Sequence, residues 1–106
     1  MEQDYDMKYY DRQGRPMHPK ECAELAMNVN YLRVAATTLP DGKWVSTVWL
    51  GMDHRNGRGL PLIFETMVFP GKREFASLDV VRYTTEAEAV AGHAAMVAKW
   101  SKEKRQ

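Results

Sequence analysis

The chain has one cysteine, three histidines and almost no net charge over its 106 residues. A single thiol, Cys22, excludes an intramolecular disulfide framework and a multi-cysteine zinc site, and a lone thiol fits a reducing compartment. A formal net charge of +1 excludes a field strong enough to hold the whole molecule on nucleic acid or anionic lipid. No apolar run approaches the roughly 18 residues that a membrane span needs. The opening MEQDYDMKYY is acidic and polar, unlike the cationic then apolar pattern of a secretory leader. A cytoplasmic protein without a membrane partner is therefore expected. No serine stands in a nucleophile elbow, and NGRG at 56–59 lacks the lysine and hydroxyl residue of a phosphate-binding loop. These gaps remove the usual enzyme signatures, and no cofactor and no metal are expected.

What remains is an ordinary globular composition, 44% apolar and 27% charged. One domain over 1–106 is expected, with fraying at 1–6 and 102–106. Met7 to Tyr10 reads as a short strand, and Asp11 to Pro16 as a turn. His18-Pro19 opens a helix that places Cys22, Leu25, Ala26 and Val29 on one face, with Asn28 and Asn30 as ending residues. Two β-branched and aromatic runs then flank Pro40-Asp41-Gly42, a hairpin signal. Pairing Leu39 with Lys43 fixes a register in which paired numbers sum to 82. One face then carries Leu32, Val34, Ala36, Thr38, Trp44, Ser46, Val48 and Leu50, and its greater apolar content predicts that it faces the core. The other carries Tyr31, Arg33, Ala35, Thr37, Val45, Thr47 and Trp49, with Arg33 opposite Trp49 as a cation–π pair. Residues 62–69 are apolar on both sides apart from Glu65 and Thr66, which predicts a central strand or one covered by a partner. Val80 to Tyr83 reads as a further short strand. Thr85 and Glu88 form a capping box for a last helix whose stripe is Ala89, His93, Met96 and Trp100. The sum is an α+β domain: an antiparallel meander of three to five strands packed by two helices.

Four polar residues are candidates for chemistry. His93 lies on an apolar stripe, so it is either a core histidine satisfied by a hydrogen bond or a ligand or acid–base group titrating near neutrality. Asp53 and His54 open a loop. They could bind a metal or activate water, but adjacent residues on extended chain point to opposite sides, which favours a loop-shaping role. Glu65 interrupts an apolar strand and needs a partner, with His93 and Arg33 as candidates. A minimal metal-dependent or acid–base enzyme would require Asp53, His54, Glu65 and His93 to converge. Arg55, Arg58, Lys72 and Arg73 form two small basic loops. That is too little basic surface for nucleic acid to be the expected partner, although a nucleic-acid-binding module stays as an alternative.

Three segments together carry a resemblance. VSTVWLGMDH (45–54), LIFETMVF (62–69) and RYTTEAEAVAGHAAMV (82–97) resemble a family of small uncharacterised proteins of bacteriophages, prophages and bacterial genomes, and YYDRQGRPM fits its usual beginning. The shared pattern falls on Trp49, Leu50, Gly51, Asp53 and His54, on Phe64 to Phe69, and on Thr85, Glu88, Ala89, Gly92 and His93. The resemblance implies a phage-like origin and no known activity. The expectation is a small non-enzymatic accessory protein that binds a host or phage protein, to block a defence system or redirect a host enzyme. Trp49, Arg55, Arg58, Met67 and Phe69 are its expected binding residues, and homodimerisation through the 62–69 strand is open.

Overall fold

The computed structural model of the chain describes residues 8–54 and 59–102. The fold is α+β: a four-stranded antiparallel meander in the order β1-β2-β3-β4, with three helices. The strands are β1 (Arg33–Thr38), β2 (Trp44–Trp49), β3 (Phe64–Phe69) and β4 (Asp79–Tyr83). The helices are α1 (Pro19–Ala26), α2 (Val29–Leu32) and α3 (Glu86–Lys102). No helix among the described residues is long and apolar enough to cross a membrane.

Local chemistry explains most boundaries. Pro19 starts α1, and His18 caps it by accepting a hydrogen bond from Lys20 N at 3.1 Å. Asn28 does not end that helix, as its position suggested. Its side chain accepts from Asn30 N at 3.0 Å and opens the extra short helix α2. Tyr31 and Leu32 are therefore helical, and β1 begins two residues later than the apolar run implied. The turn after β1 is as its residues demand: Leu39 N donates to Lys43 O, and Gly42 takes φ +97°. The capping box of α3 is formed too, with Glu88 N bonded to Thr85 Oγ1 and Thr85 N to Glu88 Oε1, both at 3.1 Å.

The β1–β2 register follows the sum of 82 from Thr38↔Trp44 to Ala35↔Thr47, then a bulge at Val34 pairs Arg33 with Val48. Arg33 thus does not meet Trp49. The ring against Trp49 is Tyr31, edge-on at 4.9 Å, and Arg12 stands over Tyr31 at 5.5 Å.

The larger correction concerns which face is the core. α3 lies across all four strands, on the side of Thr37, Val45, Thr47 and Trp49. Cross-strand rows on that side read Thr37–Val45–Val68–Asp79, Ala35–Thr47–Thr66–Val81 and Trp49–Phe64–Tyr83. Val45, Thr47, Trp49, Phe64, Thr66 and Val68 are all fully buried there. Apolar count misjudged this face because its threonines find hydroxyl and imidazole partners inside the core, which removes the desolvation cost of burying them. The core has two parts. Leu39, Val45, Val68 and Met96 pack under the C-terminal half of α3, and Cys22, Trp49, Ile63, Phe64 and Ala89 pack under its start. Arg12 fastens the N-terminal turn to α3 through two bonds to Glu86, at 3.0 and 2.6 Å.

Candidate functional site

His93 lies where its stripe placed it, facing the sheet and 7% exposed. Its Nε2 meets Thr37 Oγ1 at 2.8 Å, and its Nδ1 meets Thr47 Oγ1 at 2.7 Å. Thr47 Oγ1 also meets Thr66 Oγ1 at 2.5 Å. One imidazole on α3 therefore ties together β1, β2 and β3. A neutral ring donates from one nitrogen and accepts at the other, and each hydroxyl can do either, so each of the three contacts can pair a donor with an acceptor. Burial lowers the His93 pKa below its ordinary value by disfavouring the charged ring. Both nitrogens are occupied, leaving neither for a metal or a substrate. His93 is a core histidine with two partners rather than one.

Gly92 beside it is required by packing. A Cβ at that position would run into the ring of Tyr83 on β4. Gly51 is under a similar demand, with φ +80° and Cys22 Sγ where its Cβ would go. Cys22 is itself buried, which raises its thiol pKa.

The other candidates do not join His93. Glu65 is buried but projects from the opposite face of the sheet, where Arg82 Nε meets its Oε2 at 3.0 Å. Neither His93 nor Arg33 is its partner. Its cross-strand neighbour in β4 is the cation that pairs with it, and the sequence could not show this without the β3–β4 register. Asp53 shapes its loop: Oδ1 accepts from Leu62 N at 3.0 Å, and its own N–H donates to Lys8 O at 2.8 Å. His54 is exposed, and its backbone N–H donates to Leu62 O. Among the described residues no three His, Cys, Asp or Glu side chains could hold a metal ion. The convergence that an acid–base or metal enzyme requires does not occur.

Of the expected binding residues, Trp49 is fully buried, with its indole N–H donating to Tyr10 O at 2.9 Å. It is a core residue. Arg55 and Arg58 lie outside the described residues. Met67 and Phe69 are half-buried on the sheet face away from α3. That face carries three cross-strand rows: Thr38–Trp44–Phe69, Ala36–Ser46–Met67–Val80 and Arg33–Val48–Glu65–Arg82. Among the described residues no helix packs on it, because α3 and α2 both contact the other side, through His93 and Tyr31. Trp44 and Phe69 stack as a tilted pair at 5.8 Å. The face thus sets Trp44, Phe69 and Met67 together as an apolar group, with Val48 beyond Ser46 and Glu65, and has cations beside it, among them Lys72, which lines the same groove as Arg33 and Trp44. Trp44 and Val48 were missed as surface residues because the alternation of β1 and β2 was assigned to the wrong side, whereas Arg33, expected on the outer face, lies there through the bulge at Val34. The fitting signal was Trp44 itself, placed opposite Phe69 once β3 pairs with β2. Comparison with protein-family models, curated proteins and solved structures returned no match for this chain.

Proposed function

We propose that this chain is a small non-enzymatic accessory protein of phage or prophage origin. It acts by docking a host or phage protein on the open face of its sheet, so as to block a defence system or redirect a host enzyme. The observation that carries the docking reading is the apolar group of Trp44, Phe69 and Met67 with exposed Val80 beside it, on a sheet face that no helix covers among the described residues. Contiguous apolar surface of this kind, rimmed by charge, is the usual mark of a protein contact. The phage-like origin rests on the sequence pattern alone. The satisfied state of His93, Glu65 and Asp53 supports binding over catalysis, since each already serves the fold.

A photo-crosslinking side chain at Met67, compared with one at exposed Ala94 on α3, tests the reading in cells that express the protein. A discrete adduct from Met67 and none from Ala94 is expected, and Met67→Glu should prevent co-purification of the same protein. Adducts from neither position would end the reading. A Met67 adduct with a second copy of the chain would replace it with self-association.

A further inference from the structure

The three tryptophans differ in one respect. Trp49 Nε1 donates to Tyr10 O at 2.9 Å, and Trp100 Nε1 donates to Asp79 Oδ2 at 3.0 Å. The indole N–H of Trp44 has no partner among the described residues. Trp44 lines a groove of ≈ 380 Å³ on the open face, with Ala36 and Thr38 of β1, Arg33 at the start of that strand, and Lys72 from the segment after β3. Arg33 and Lys72 are exposed, and neither side chain makes a hydrogen bond or ion pair among the described residues. Two cations, Arg33 and Lys72, line the groove, and no carboxylate does so among the described residues. Glu65, on the same face, is already paired with Arg82.

Resting on the docking-face reading, we infer that the partner presents an acidic polypeptide segment, with carboxylates at Arg33 and Lys72 and an apolar side chain against Trp44, Met67 and Phe69. The guanidinium of Arg33 offers a fork that matches a carboxylate, and Lys72 adds a point charge. Trp44 supplies both a donor and an apolar plate. A second copy fits less well, since the same groove on both chains would set Arg33 and Lys72 of one against those of the other. Single-stranded nucleic acid fits poorly as well. Two unpaired cations neutralise only about two phosphates, which gives little of the counterion release on which such binding depends.

The test uses the full chain and three fluorescent probes at low salt: a peptide of acidic residues around one central phenylalanine, the same peptide with glutamine for every acid, and a short oligothymidylate. The acidic peptide should bind, weaken as salt rises, and exceed both other probes. Arg33→Glu combined with Lys72→Glu should weaken it by about tenfold or more, while Lys20→Glu on exposed α1, a single change of the same sign, leaves it unchanged. Met67→Glu should weaken it too. The Arg33 and Lys72 side chains make no ion pair, so the double variant should keep its unfolding midpoint. No binding of the acidic peptide, equal binding by the double variant, or tighter binding of the oligothymidylate each overturns the inference, the last assigning the face to nucleic acid. Crosslinking at Met67 separates the two failures. If the acidic peptide fails while Met67 still captures one discrete protein, docking stands and only the acidic partner falls. If both fail, both fall.

Discussion

Trp49 and Trp44 sit on the same strand, five positions apart and on opposite faces of the sheet. Trp49 is sealed under α3, has its indole N–H bonded to Tyr10 O, and packs edge-on against Tyr31. Trp44 is half-buried, stacks on Phe69, and leaves its N–H without a partner among the described residues. The same division runs through the threonines. Thr37, Thr47 and Thr66 are bound into the His93 network, whereas Thr38 lines the outer groove. On one face Thr37, Thr47, Thr66 and Asp79 hold α3 to the sheet through His93, Lys99 and Trp100. The other carries Trp44, Met67 and Phe69 with the cations Arg33 and Lys72 nearby, and it is the face on which we propose that a partner docks.

Trp49→Ala should be the most damaging of the paired changes. Truncating a fully buried Trp costs about 3–5 kcal/mol, a large part of the roughly 5–15 kcal/mol that holds a small domain folded. Trp44→Ala should cost about 1 kcal/mol or less, as a surface change does, while abolishing partner capture. Urea midpoints of the two variants check this, and equal losses would erase the distinction between the faces. Next comes Thr47→Val. It leaves His93 Nδ1 and the Thr66 hydroxyl short of a partner in the core, at about 1–3 kcal/mol, against about 0.5 kcal/mol or less for Thr38→Val. Gly92→Ala should also destabilise, by about 1–3 kcal/mol, because Tyr83 must move. The better helix propensity of alanine, worth roughly 1 kcal/mol, would by itself predict the opposite sign.

The smallest effect is a dependence on pH. Burial lowers the His93 pKa in the folded protein, so the unfolded chain takes up a proton first as pH falls. The contribution of His93 is thus complete above its unfolded value of about 6.5, and is lost as pH drops below that toward the lowered folded value. Asp79 works in a different window. Bonds from Lys99 and Trp100 lower its pKa, so its contribution is present above the ordinary carboxylate value and is lost only in more acid solution. Denaturation midpoints from about pH 7.5 to about pH 5.5 should fall more steeply in the parent than in His93→Gln, and parallel slopes would remove His93 as the cause.

Much of the fold could be read along the chain because it depends on neighbours in sequence. Pro40-Asp41-Gly42 specifies the hairpin, Thr85 with Glu88 the start of α3, and Ala89, His93, Met96 and Trp100 its inner stripe. The doubly apolar 62–69 segment reads as a central strand, and β3 is one. Asp53 could be assigned to its loop for the same local reason. The site was less accessible. Met67 and Phe69 do lie on the open face, but Trp49 was placed on the surface and Trp44 in the core, an inversion produced by weighing the hairpin faces by apolar count. A bulge at Val34 and an extra helix at Val29–Leu32 are one-residue and one-turn decisions that no period reveals.

Periodicity and turn chemistry are short-range, so the order of residues was enough to set the strands, the hairpin, the last helix and its inward histidine. Three matters needed the chain to close on itself: which hairpin face meets α3, which cation meets Glu65, and what His93 bonds to. Each depends on partners far apart in sequence, Thr37 and Thr47 with His93 across 56 and 46 residues, and Glu65 with Arg82 across 17. A buried hydroxyl or carboxylate is costly or harmless according to whether such a partner stands opposite it. Only packing in three dimensions supplies that partner, and with it the choice of which face α3 covers.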